Sequence, residues 1–231
     1  MLYEGRRMEW SPILISLKTA SLSIFITFFI GIAVAYWVVR MRHEKLKMVC
    51  DGILTLPLVL PPTVAGFFLL YIFGVKRPLG QFFLDFFGVK IAFSWGATVL
   101  AAVVISFPMM YRSARGAFEQ VDSNLLNAGR TLGMSEWRIF WRVLFPNALS
   151  GILSGGILAF ARGLGEFGAT AMIAGNIEGK TRTLPLAVYS KVSAGDMEGA
   201  YQYVFILVVI SFFVVTGMNY VTYVFQKYNR R

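Results

Sequence analysis

Hydrophobic positions fall into five long runs separated by short polar stretches. The runs are Ile13 to Val39, interrupted only by Lys18 near one end; Ile53 to Phe73; Ile91 to Tyr111; about Ala148 to Ile173, containing Arg162 and Glu166; and about Tyr201 to Phe225. About 20 apolar residues suffice to cross a bilayer core of about 30 Å. The runs are too long and too continuous for barrel strands, which alternate over segments of about 10 residues. The pattern predicts an all-α polytopic membrane protein with five transmembrane helices, a sixth being left open, in one domain spanning residues 1–231. Composition agrees: 57% of residues are hydrophobic and 15% charged, against about a quarter charged in soluble domains. A single Cys50 and a single His43 exclude a disulfide framework and a Cys/His zinc cluster.

The net charge of +10 is read as a positive-inside bias. Arg40, Arg42, Lys45 and Lys47 follow the first run, against the single acid Glu44. Arg112, Arg115, Arg130, Arg138 and Arg142 lie between the third and fourth, and the chain ends Lys227, Arg230, Arg231. The alternate loops are more balanced. This places the N-terminus outside and the C-terminus in the cytoplasm of a multi-pass cell-membrane protein; Arg6 and Arg7 fit less well. The first run exceeds a signal h-region and ends in basic residues, so it reads as a retained span.

Residues 112–147 are too charged to span and too apolar for a floppy loop. Asp122 or Ser123 is expected to cap a helix through Leu132, with Gly133 at C′. Ser135 is expected to cap a second helix that reaches Phe145 and stops at Pro146. In it Trp137, Phe140, Trp141 and Leu144 recur with helical spacing, predicting one apolar stripe. Two readings stand: a hairpin resting on lipid, or a knob for a soluble partner.

Several residues carry candidate chemistry within the runs. Arg162 and Glu166 lie four apart, which predicts a shared helix face; they are either a self-neutralising structural pair or a gate on a pathway. Pro57, Pro61 and Pro62 interrupt the second run, as a static kink or as a broken segment lining a path. Gly151, Gly155, Ala159 and Gly163 form a small-residue ridge for a helix of this chain or of a second copy. The stretch Ala174 to Thr181 nearly satisfies a phosphate-binding loop, but it follows a membrane helix where a strand is required, and Pro185 stands where a helix should run. Nucleotide binding there is not expected.

Asn127-Ala128-Gly129, Gly133, Val143 and Pro146 keep the spacing of, and resemble, the EAA loop of ABC-importer permeases, with Asn127, Gly129 and Phe145 at variance with its residue types. Leu56-Pro57-Leu58-Val59-Leu60-Pro61-Pro62-Thr63-Val64-Ala65-Gly66 looks like the second-span motif of molybdate permeases. Phe160-Ala161-Arg162-Gly163-Leu164-Gly165-Glu166-Phe167-Gly168-Ala169-Thr170 looks like their fourth-span motif, and Thr181-Arg182-Thr183-Leu184-Pro185 like the stretch after it. The resemblance is to molybdate and tungstate permeases first, with sulfate permeases as close relatives. It implies a type I ABC importer permease fold that does no covalent chemistry and needs no cofactor. It further implies a second permease copy, two ATPase subunits that hydrolyse the ATP, and an external oxyanion-binding protein. Asn127, Ala128, Gly129, Gly133, Trp137, Arg138, Phe140 and Pro146 would couple to the ATPase. Pro57, Pro61, Pro62, Thr63, Arg162, Gly165 and Glu166 would line the path or gate. The rival from another class is a secondary transporter working without ATP; no internal repeat supports it.

Overall fold

In the computed structural model, which describes residues 9–229, the chain is helical, with no strand among the described residues. Helix α1 (Ser11–Val39) is the first span. At 29 residues it is about 44 Å long. The second run is broken: α2 (Glu44–Val59) and α3 (Pro62–Phe73) are separated by extended backbone at Leu60 and Pro61, with ψ of 141° and 134°. The three prolines are therefore not equivalent. Pro57 lies inside α2, whereas Pro61 and Pro62 take the N-cap and first position of α3, where a proline is pre-set for the helix and removes no needed donor.

Helix α4 (Pro78–Phe87) occupies a stretch read from sequence as loop. The third span, α5 (Trp95–Glu119), starts four residues later than Ile91, passes unbroken through Pro108 and runs two turns beyond Tyr111. After α6 (Ser123–Thr131) and α7 (Glu136–Ile139) come a π-turn over Phe140–Leu144 and α8 (Phe145–Leu164). Helices α9 (Gly168–Ile173), α10 (Leu184–Ser193) and α11 (Met197–Asn229) complete the chain. Helix α1, α5, the stretch Glu136–Leu164 and α11 are each long and apolar enough to span; α2 with α3 makes a fifth if counted as one broken span. Among the described residues no sixth is found. Arg6, Arg7, Arg230 and Arg231 lie outside the described residues.

The chain forms two compact units. The first comprises the chain up to Leu22, Pro61–Ala102 and Leu164–Phe213. Its core gathers Ile13, Leu184, Ala187 and Tyr203. Hydroxyls tie its helices: Thr19 and Thr98 meet at 2.9 Å, Trp95 Nε1 donates to Thr19 Oγ1 at 3.1 Å, and Leu184 N donates to Ser16 Oγ at 2.7 Å. In the absence of a hydrophobic drive between helices in lipid, such bonds help hold a bundle together. On α1 the hydroxyls concerned are Ser16 and Thr19, three apart and both buried.

The second unit comprises Ser23–Leu60, Val103–Gly163 and the chain from Val214. Its core is built on Ala35, Val38, Met110, Tyr111, Phe140 and Ile152. Here the glycine ridge finds its partner within the chain. A Cβ on Gly151 would stand 2.7 Å from Ala117 Cβ, and one on Gly155 would collide with Ser113 Cβ. Ala159 is buried on the same row. The ridge thus lets α8 approach α5 closely, which is what small residues permit.

Candidate functional site

The hairpin α6–α7 is built by local rules. Asp122 Oδ1 accepts the Asn124 N–H at 2.8 Å and Ser135 Oγ the Arg138 N–H at 3.4 Å, so both N-termini are capped by the expected residues. Between them Gly133 adopts φ +71°. Its N–H reaches Arg130 O, and Met134 N–H returns to Gly129 O at 3.0 Å, closing the turn. Asn127 adds support: its Oδ1 accepts from Arg130 Nη1 at 2.9 Å. Gly129 packs beneath Ile139, where a Cβ would stand 3.2 Å from Ile139 Cγ1.

Two expectations for the second helix are corrected. It does not stop at Pro146. In an α-turn the Pro146 ring would collide with the carbonyl of Arg142; the π-turn over Phe140–Leu144 widens the backbone there, Phe145 N bonds to Phe140 O, and α8 continues through Pro146. The apolar stripe also splits. Ile139, Phe140 and Leu144 are buried, whereas Trp137 is 71% and Trp141 48% exposed. The wider turn rotates the row, and Ile139, absent from the predicted stripe, takes the core position. With Leu132 at 80% exposure, Trp137 and Trp141 give the hairpin an uncovered apolar surface; Ala128 and Arg138 lie on the same hairpin, both at its surface or close to it.

Two polar groupings were missed in the sequence, one tying α2 to α5 and one tying the hairpin to the end of α1. Asp51 of α2 accepts from Tyr111 Oη at 2.9 Å and pairs with Arg115. Glu119 accepts from Arg115 at 3.0 Å and pairs with Lys47 at 3.0 Å. Glu136 lies 2.8 Å from Arg130 and 3.4 Å from Arg40. The available signal was Arg115 and Glu119 four apart beyond a helix expected to end earlier.

Most of the other candidate residues belong to the first unit. The run expected as a continuous fourth span breaks after α8, and α9 begins at Gly168. Arg162 and Glu166 therefore do not share a helix face: Arg162 lies in the last turn of α8, Glu166 in the break. Glu166 is 2% exposed, and its Oε1 accepts the Ala169 N–H at 2.7 Å, satisfying an amide in the first turn of α9. Helix α9 packs backbone to backbone on α3. A Cβ on Gly66 would stand 2.6 Å from Ala169 Cα, and one on Gly168 3.0 Å from Pro62 Cβ and 3.2 Å from Thr63 N. Pro61, Pro62, Thr63, Gly165 and Glu166 thus belong to the unit in which two helix starts meet. Pro57 and Arg162 belong to the other unit.

The stretch resembling a phosphate loop is closed on itself. Ile177 O accepts from the N–H groups of Lys180, Thr181 and Arg182 at 2.9–3.1 Å, while Thr181 Oγ1 accepts from Ile177 N at 3.0 Å. These four amides are spent within the loop and are not available to a phosphate. Nearby, Arg182 lies 3.9 Å from Glu9 and 3.6 Å from Glu178.

Residues 27–228 match the binding-protein-dependent transport system inner membrane component family. The chain belongs to this family. The permease is 46% identical over 193 residues to the molybdenum transport system permease ModB of Escherichia coli K12, covering 83% of this chain and 84% of that one. It is 40% identical over 191 residues to ModB of Haemophilus influenzae, covering 83% of each. A sulfate transport system permease of Chlorokybus atmophyticus is 32% identical over 218 residues, 94% of this chain and 76% of that one. Among solved structures, the inward-facing MetNI methionine ABC transporter superposes with a TM-score of 0.76 at 18% identity, over 97% of this chain and 99% of that one. A bacterial alginate importer gives 0.77 at 12% identity, over 92% and 78%. The fold is that of type I ABC importer permeases, as the resemblance implied, and the permease is a multi-pass transport component of the inner membrane.

Proposed function

We propose that this permease forms the membrane path of an ABC importer for molybdate, or for the isostructural tungstate. The observation that carries the reading is the hairpin 122–145: a backbone fixed by two caps and a left-handed Gly133, presenting exposed Leu132, Trp137 and Trp141. Rigid anchors around an uncovered apolar surface suit docking on a soluble partner. The 46% identity to a molybdenum permease supports the cargo.

In this reading the N-terminus lies outside and the hairpin and C-terminus in the cytoplasm. Two copies of the chain assemble with two ATPase subunits, and an external binding protein delivers the oxyanion. Asn127, Ala128, Gly129, Gly133, Trp137, Arg138, Phe140 and Pro146 form or shape the surface seated on the ATPase. ATP closure moves the hairpin, and α8, continuous with it through the π-turn, carries the motion into the bundle. The breaks at Leu60–Pro62 and Gly165–Phe167 are the pliable points. Backbone interrupted at membrane depth is tolerated where protein or water satisfies it, so Pro57, Pro61, Pro62, Thr63, Arg162, Gly165 and Glu166 are assigned to the path and its gate. ATP hydrolysis by the partner resets the cycle; this chain supplies no covalent chemistry.

The 32% identity to a sulfate permease favours sulfate as the second reading. The test is to purify the permease with its ATPase subunits in nanodiscs and add binding protein loaded with molybdate, tungstate or sulfate. Molybdate- or tungstate-loaded protein should raise ATP turnover severalfold. Stimulation by the sulfate-loaded form alone would overturn the cargo assignment, and uptake without any ATPase subunit would overturn the class.

A further inference from the structure

A cleft of about 460 Å³ lies between the end of α1 and the hairpin, wholly within the second unit. Its floor is apolar, built from Val39, Phe118, Ile139, Phe140 and Leu144. Its rim is cationic: Arg40, Arg42 and Arg130 stand against the single carboxylate of Glu136. Glu136 is engaged by two of them, at 3.4 Å from Arg40 and 2.8 Å from Arg130. Three cations against one anion leave two positive charges. Arg40 is further held by Tyr36, whose hydroxyl accepts from it at 2.6 Å. Among the described residues Arg42 pairs with no acid, and it is exposed.

We propose that this cleft binds the headgroup of an anionic phospholipid. Two features of one site must be met together: a surplus of guanidinium groups and a floor of aliphatic and aromatic side chains. A free oxyanion would meet only the rim. An amphiphile with a phosphate head and acyl chains meets both. Basic pockets between membrane helices on the cytoplasmic side are suited to such headgroups, and the planar guanidinium fork matches phosphate oxygens in pairs. The depth is right as well. The cleft opens at the last turn of an apolar span, where Trp37 is 59% exposed, and exposed indoles sit at the level of the headgroups. The site rests on the permease reading only in placing this end of α1 at a membrane surface.

The consequence is that lipid composition acts on the hairpin itself. Arg130 of α6 and Ile139 of α7 belong to the same cleft, so a seated headgroup holds the hairpin against the end of α1. The test uses the full permease–ATPase complex, delipidated in detergent, with native mass spectrometry and thermal melting as readouts. Phosphatidylglycerol should be retained and should raise the melting temperature; phosphatidylcholine with the same acyl chains should not. Arg42→Gln should weaken retention about fivefold, the factor for one cation near a lipid surface, Arg130→Gln at least as much, and Arg42→Lys should restore most of it. Equal retention of phosphatidylcholine would overturn the proposal. So would equal stabilisation by millimolar inorganic phosphate, which marks a free-anion site. Loss of ATPase recruitment in Arg42→Gln with phosphatidylglycerol retention unchanged would assign the cleft to the partner instead.

Discussion

Glu166 is a buried carboxylate whose oxygen receives a backbone N–H, and this separates two roles that sequence left together. As a cap it needs an acceptor; as a gate it needs a charge. Glu166→Ala should lower the melting temperature of the purified complex by the equivalent of about 1 kcal/mol, the usual cost of a lost cap. Glu166→Gln, which keeps the acceptor, should retain most of that stability, so an uptake defect in the Gln variant reports the charge alone. Outside the membrane, Glu9 is a second informative residue. A hydrogen bond shared with Glu178, then partial burial, holds its carboxyl above the usual range, with Arg182 and Lys191 working against them. A raised folded-state pKa means that the associated stability is full below the ordinary carboxylate range and is lost as pH rises through the raised value. The melting temperature should therefore fall as pH rises across that window, and Glu9→Gln should flatten the slope. At this scale the sequence was partly legible. The caps Asp122 and Ser135 and the turn at Gly133 follow from local chemistry. The partner of Asp51 could not be read, because Tyr111 and Arg115 are sixty or more positions away.

At the level of elements, the long apolar runs were easy to place and their interruptions were not. Hydropathy averages over a window, so Glu166 in a run of small apolar residues read as a charge inside a helix, although the chain leaves the helix just before it. Likewise Pro146 was expected to stop a helix that instead widens over a single π-turn and continues. Helix α4 was overlooked because it is too short to span, although Leu79, Phe82, Phe83, Phe86 and Phe87 recur with helical spacing. The hairpin is the element most open to test. Gly133 has φ +71° with open space around its Cβ position, so a side chain there is opposed by backbone strain and not by crowding. Gly133→Val should cost about 1–2 kcal/mol locally and reduce ATPase stimulation by the loaded binding protein more than it reduces subunit assembly. Gly133→Asn, whose side chain tolerates this conformation, should be milder. Wild-type coupling in the valine variant would count against a fixed docking geometry.

For the whole molecule the decisive quantity is orientation. Cysteine labelling settles it: in a Cys50→Ser background, a thiol introduced at exposed Leu132 should react with a membrane-impermeant maleimide only after cells are opened. Reaction in intact cells would place the hairpin outside and remove the basis for ATPase docking. Fold class and four of the five expected spans were legible because the bilayer imposes length and apolarity on any segment that crosses it, while the second run is a bent pair of shorter helices. The division into two units was not, because it depends on which parts of α1, α5 and α11 pack on which, and long apolar helices have no composition boundary to mark the change.

Where α8 meets α5, no atom remains to be removed from Gly151 or Gly155, and Ala117 and Ser113 already fill the space opposite. Enlargement at Ser113 or Ala117 therefore has no compensating contraction available on the glycine row. Sequence drift along this seam is therefore confined to exchanges among the smallest residues, and the seam should be among the slowest-changing parts of the permease.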